Sequence, residues 1–299
     1  MKIIRRLLTI NQFTSIVLFI IGFFLFNASY ATAQDLNYLS EESQKIHRSF
    51  WACDSLIFKQ LMKNTPYQTP VFLFDSQKNG SVVLIVGGTH GDEPAGCEAA
   101  HRLLSFLSNV ELLQGKIFII PEANKIAVSE NKRRIPVPQD VDREKGNLNR
   151  CFPGDSEGLP MEQMAHEVTN LIRSQQVELF MDLHESKFYH LETTDDSEEF
   201  NGLGQTLIFT VNEQAAWLGM VAVDHLNSSI EPGIKRFTLV ERPVKFSAAW
   251  FAGELFGIPA FTVETCRKLP LEERIYYQLE AVKIMLEDKG VIVNVASSQ

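Results

Sequence analysis

The chain has 299 residues, 45% of them hydrophobic and 22% charged, with a formal net charge of −9. That length suits one large or two small domains with a full core. The acidic balance argues against nucleic acid as a partner, because phosphate contact needs a basic surface, and no charge run, repeat or low-complexity tract stands out.

The chain starts with Lys2, Arg5 and Arg6, followed by an uncharged apolar stretch from Ile16 to Phe26 and by Ala31-Thr32-Ala33. A basic start, an apolar centre and a small-x-small site make residues 1–33 a signal peptide cleaved after Ala33, and residues 34–299 one catalytic domain. The alternative is an uncleaved anchor, but the apolar centre is short of the ~20 residues that span a bilayer. No lipobox cysteine lies near the site. The expectation is therefore an exported protein, periplasmic or extracellular, with no stable membrane anchor after cleavage.

Four cysteines are present, Cys53, Cys97, Cys151 and Cys266, none with Cys-x-x-Cys spacing. An oxidising compartment permits bridges among them in three pairings. A Cys151–Cys266 bridge is one expectation, and buried free thiols are the other.

Asp35 to Lys63 is mixed and reads as helical around Ser55 to Met62. Val71 to Phe74 reads as a strand, Lys78-Asn79-Gly80 as a turn, and Val82 to Val86 as a strand buried on both faces. A helix from about Glu93 to Leu107, opened by Pro94, leads to a strand at Lys116 to Pro121. Asn124 to Asn149 is a long polar segment without a period, of a kind that is usually functional or mobile. Further helices are expected at Met161–Arg173, Glu213–Leu226, Ser247–Phe256 and Leu271–Lys289. Further strands are expected at Val177–Ser186, Leu207–Val211 and Pro259–Thr265. Alternation of this kind means an α/β sandwich around a mixed, mostly parallel sheet flanked by helices.

The Val82 strand breaks at Gly87-Gly88 and is followed by His90 and Glu93. Either residue alone in a loop is more often simply solvated. Together, an imidazole and a carboxylate at the end of a central strand can hold one cation, and zinc takes both ligand types plus a third. His184, at the end of another strand-like run, is the proposed third ligand. Such an ion polarises a carbonyl and activates water. Glu264, leaving an apolar strand, would be the general base, its pKa raised by desolvation; a structural ion-pair role is its alternative. Asn149 and Arg150 form an anion clamp in this reading, although a loop arginine can equally pair with a surface acid. Arg143 would stabilise an oxyanion, with Arg133 and Arg134 competing for that role.

Four landmarks then stand in order: Gly-Gly-Thr-His90-Gly-Asp-Glu93, Asn147-Leu-Asn149-Arg150, Asp182-Leu-His184 and Thr-Val-Glu264-Thr. By these the chain resembles the zinc carboxypeptidase superfamily, in its succinylglutamate desuccinylase/aspartoacylase branch, from about Val82 to Lys289. The resemblance implies one zinc on His90, Glu93 and His184, with Glu264 as general base. It also implies a substrate carboxylate on Asn149 and Arg150, and Arg143 as the best match for the arginine that polarises the scissile carbonyl. The run Phe152 to Gly158 is similar to small bacterial deacylases of this branch. Three positions depart from the pattern. Asn147 stands where Asp is commonest, Asp92 stands where digestive carboxypeptidases carry arginine, and no tyrosine matches their substrate-capping residue outright, Tyr189, five past His184, being a candidate. The chain is also short for the extra domain that narrows the aspartoacylase pocket, so aspartoacylase specificity is not carried over.

The expected function is a zinc hydrolase cleaving an amide bond in a small carboxylate-bearing substrate such as an N-acyl amino acid. The close rival is a metallocarboxypeptidase or amidase acting on short peptides, cell-wall peptides included. A rival of another class is a non-catalytic binding protein on the same fold.

Overall fold

A computed structural model describes residues 56–192, 202–210, 212–241 and 243–293. The expected leader, its cleavage site and Cys53 lie outside these residues. Val82–Val86 forms a strand (β3) without a polar side chain, so it has two apolar faces to cover. Val83 and Ile85 pack into one hydrophobic layer, Leu84 and Val86 into another. This period of two makes the sheet the middle of a sandwich.

Seven further strands join it: β1 (Ile57–Leu61), β2 (Thr69–Asp75), β4 (Lys116–Ile120), β5 (Leu179–Ser186), β6 (Thr206–Phe209), β7 (Thr238–Val240) and β8 (Ala260–Cys266). Their order is β1-β2-β4-β3-β5-β8-β6-β7. Pairing is parallel for β3/β4, β3/β5, β5/β8 and β6/β7, and antiparallel for β1/β2, β2/β4 and β6/β8. The helices are α1 (Pro94–Leu107), α2 (Lys125–Ser129), α3 (Pro160–Ser174), α4 (Glu213–Asn227), α5 (Ala248–Phe256) and α6 (Leu271–Asp288). Helices α1, α4 and α6 contribute to one layer, and α3 and α5 to the other.

The chain leaves β3 through α1 to β4 on one side, and later returns to pair β5 on the other. Neighbouring helical connections diverge there, so a crevice opens beyond the C-terminal ends of β3 and β5. Helix α1 approaches β5 closely because Gly96 has no side chain: a Cβ there would lie 2.3 Å from Leu183 O.

Three expectations change. Ile57–Leu61, read as helical, is an edge strand paired with β2. Its Phe58 ring meets Phe118 at 5.2 Å and its Lys59 pairs with Glu167 at 3.0 Å, tertiary contacts that override local spacing. The polar segment before Asn149 is partly ordered, holding α2 and 3-10 turns at Arg143–Gly146 and Leu148–Arg150. Cys97, Cys151 and Cys266 are free thiols. The expected Cys151–Cys266 bridge is not formed: Cys151 donates to Asn147 O at 3.3 Å, whereas Cys266 is packed with Tyr189 and Leu269.

Candidate metal centre

The exit of β3 is shaped by glycine. Gly88 has φ +64°, a left-handed conformation that brings the chain past Pro121 and Glu122. Gly91 touches α2 so closely that a Cβ would sit 1.8 Å from Ala127 O. Between these contacts His90 is held pointing inward. Glu93 is the residue before α1 and makes no side-chain cap, so its carboxylate is free to turn to the crevice.

His90, Glu93 and His184 are buried and converge. Glu93 Oε1 lies 3.0 Å from His90 Nδ1, and Glu93 Oε2 lies 2.8 Å from His184 Nδ1. The two Nδ1 atoms are 3.1 Å apart. Each ring's other nitrogen is already engaged: His90 Nε2 with Asn147 Oδ1 at 2.9 Å, His184 Nε2 beside Asp182 Oδ2 at 2.8 Å. Asp182 is itself oriented by the Thr89 hydroxyl, which donates to Oδ1 at 2.8 Å. The Asn147 acceptor assigns the His90 hydrogen to Nε2 and leaves its Nδ1 lone pair facing the Nδ1 of His184 beside a carboxylate. Such a set repels itself unless a positive charge sits between. Burial opposes charge on His184, yet Asp182 and Glu93 raise its pKa well above the usual value. Burial likewise opposes charge on Glu93, yet the two imidazoles hold it well below the carboxylate range. Two imidazoles and a carboxylate are a donor set suited to zinc, and the residues present fit that ion.

Glu264 pairs with His184 in the parallel register of β5 and β8, so both side chains leave the same face. Its Oε2 is buried and has no hydrogen-bond partner among the described residues. Burial first, then the nearby Glu93 charge, push its pKa up to about 8 against the pull of His184 and Arg133.

Arginines ring the cluster. Arg133 Nη1 donates to Glu93 Oε1 at 2.6 Å, and Arg267 Nη2 lies 3.3 Å from Asp92 Oδ2 and 3.6 Å from Glu93 Oε1. Asn149 is fixed by accepting from the Ala248 N–H at 3.1 Å, with its amide nitrogen 3.5 Å from His184 Nε2. Arg150 is half-buried and donates to Asn149 O at 2.7 Å. Burial, then repulsion from Arg133, lowers its pKa against the pull of Glu144. It also lines a groove with Glu144, Lys145, Phe152 and Phe246.

Two expected residues are not brought to the cluster. The Arg143 side chain is 81% exposed, and among the described residues it pairs with Glu144 alone, at 3.8 Å. Tyr189 is buried with Cys266 and Leu269, so its ring is committed to packing. Arg267 and the two imidazole partners were not singled out for roles by the sequence. Asp182 was visible two residues before His184 on one strand face, and Arg267 three residues beyond Glu264 at the same strand exit.

Residues 79–288 match the family profile described as the succinylglutamate desuccinylase/aspartoacylase catalytic domain. Over 105 residues the chain is 36% identical to an N-alpha-acetyl-L-2,4-diaminobutyric acid deacetylase of Halomonas elongata, covering 35% of this chain and 28% of that protein. The chain thus matches under a third of that relative's length. Among solved structures, Helicobacter pylori Csd4, a D,L-carboxypeptidase in its mDAP-bound form, superposes with TM-score 0.60 at 21% identity, over 71% of this chain and 51% of that one. A succinylglutamate desuccinylase/aspartoacylase from Rhodobacter sphaeroides superposes with TM-score 0.56 at 21% identity, over 76% and 60%. At these identities the likeness to solved structures is one of fold.

Proposed function

The chain belongs to the succinylglutamate desuccinylase/aspartoacylase catalytic-domain family, and from that premise we propose that it is a zinc-dependent hydrolase that cleaves the amide bond of a small N-acyl amino acid. The observation that carries the reading is the convergence of His90 Nδ1, Glu93 and His184 Nδ1 beside a buried Glu264 carboxyl whose Oε2 has no hydrogen-bond partner among the described residues. Zinc held by those three residues would supply Lewis-acid polarisation of the carbonyl and a lowered pKa for water.

The chain's own residues do the rest. Asn149 Nδ2 and the Arg150 guanidinium hold the substrate carboxylate, a planar anion matched by a planar fork of donors. Arg133, already against Glu93, takes the oxyanion role expected of Arg143 and donates to the carbonyl oxygen as charge develops there. Glu264 accepts the proton of the attacking water and returns it to the leaving nitrogen as the C–N bond breaks. A carboxyl with its pKa raised toward the working pH can do both. Cleavage after Ala33 and export to the periplasm or beyond complete the reading, supported by the basic start and apolar stretch of residues 1–33. The mass of the mature protein tests that part.

The activity test is a substrate panel of N-acyl amino acids, with N-acetyl-diaminobutyrate among them, against short peptides with free or amidated C-termini. Release of free amino acid from the acyl compounds supports the deacylase. Turnover of free-ended peptides alone would replace it by a carboxypeptidase using the same residues. Binding without turnover, unchanged by Glu264→Gln, would favour a non-catalytic binding protein.

A further inference from the structure

A second cluster of metal-ligating side chains lies further along α1. Cys97 and His101 are one helical turn apart and share a face. Glu122, just beyond β4, faces them: His101 Nε2 is 3.2 Å from Glu122 Oε1. The thiol, imidazole and carboxylate donor atoms all lie within 4.8 Å of one another.

Glycines make this approach possible. A Cβ on Gly87 would sit 2.5 Å from Gly96 O, 2.9 Å from Ala100 Cβ and 3.0 Å from Pro121 O. One on Gly88 would sit 2.9 Å from Glu122 Cα. Helix and strand exit therefore meet backbone to backbone, and the side chains at 97, 101 and 122 are brought to one place from two elements.

We infer that Cys97, His101 and Glu122 form a second divalent-metal site, with zinc the ion their mixed sulfur, nitrogen and oxygen donors suit, which clips α1 to the exit of β4. The thiol is free and makes no hydrogen bond among the described residues. Burial, then the charges of Glu122 and Glu98, push the thiol up to about 12. That negative surrounding disfavours a bare thiolate but attracts a dication. Binding forms the sulfur–metal bond and releases the thiol proton to solvent. Three protein ligands leave a fourth position for water on the exposed side, where His101 is 44% open. Since α1 begins directly after Glu93, the clip would steady the segment that carries that residue without sharing a ligand with it.

Cobalt(II) titration of the chelator-treated full chain tests this. The wild type should take up two equivalents and show a sulfur-to-cobalt charge-transfer absorption. Cys97→Ser and His101→Gln should each take up one equivalent, the serine variant without the absorption. His184→Ala should also take up one equivalent yet keep the absorption, so failure of the His90–Glu93–His184 reading would show separately as uptake unchanged in that variant. The exposed His101 allows its variant to fold if Cys97→Ser does not. Absence of the absorption from wild type, or its persistence in Cys97→Ser, would overturn the inference.

Discussion

Replacing Glu264 by glutamine keeps the shape of the side chain and removes its titration, which isolates the consequence of burying this acid. In the folded chain its pKa is about 8, against an ordinary value of 4.5. A raised folded pKa means that the folded state holds the proton more tightly than the unfolded one. The stabilisation is full below the unfolded pKa and is lost as pH rises through the folded one. The whole interval is worth about 5 kcal/mol, of which about 3–4 kcal/mol falls between pH of about 5 and about 8. Urea unfolding of chelator-treated wild type and Glu264→Gln at those two pH values measures it. The wild type should lose about 3–4 kcal/mol more than the variant over that rise, since titrations of groups remote from Glu264 cancel in the difference. With metal restored, the variant should lose about 10²–10⁴-fold in turnover, the worth of a positioned acid–base group. A wild-type-to-variant gap that stayed level across the pH range would mean that Glu264 is neither desolvated nor poised to hold a proton.

Asn147→Leu removes the acceptor at His90 Nε2 and should weaken metal binding by about 10–100-fold, read by competition with a chromogenic chelator. Arg133→Gln should cost about 10²–10³ in kcat as a lost oxyanion donor, whereas Arg143→Gln, on an exposed side chain, should leave steady-state kinetics unchanged. Gly91→Ala places a methyl 1.8 Å from Ala127 O, so the His90–Glu93 turn or α2 must move. Thermal unfolding should show a loss of about 1–3 kcal/mol or more, together with loss of metal retention on dialysis.

The parts of the site that were legible in the sequence are those fixed by regular backbone. His90 and Glu93 follow a glycine break at a strand end, and His184 and Glu264 each lie two residues before the end of an apolar strand, so parallel register alone sets them side by side. The rest depends on irregular backbone. Which of Arg133, Arg134 and Arg143 reaches the cluster is set by the path of the segment between α2 and Asn149. That path is pinned by Gly91 N–H to Lys132 O at 2.9 Å and Ile135 N–H to Gly146 O at 3.1 Å, contacts without a sequence period. Asn147, a departure from the commonest motif, has a place once seen: its Oδ1 accepts at His90 while its Nδ2 donates to Glu144 Oε2 at 2.9 Å. A carboxylate there would lose that donor and face a second acid. Tyr189 and Cys266 pack together in a small core of their own, a tertiary contact that their local sequence does not signal. The short strand Thr238–Val240 escaped because three half-buried residues carry no readable alternation.

Diffraction from zinc-loaded crystals at wavelengths on either side of the zinc absorption edge would show whether His90, Glu93 and His184 together hold one divalent ion. An anomalous peak about 2.0–2.1 Å from both Nδ1 atoms, within bonding distance of the Glu93 carboxylate and open toward Glu264, is the predicted result. Zinc density elsewhere with none between these three side chains would contradict it.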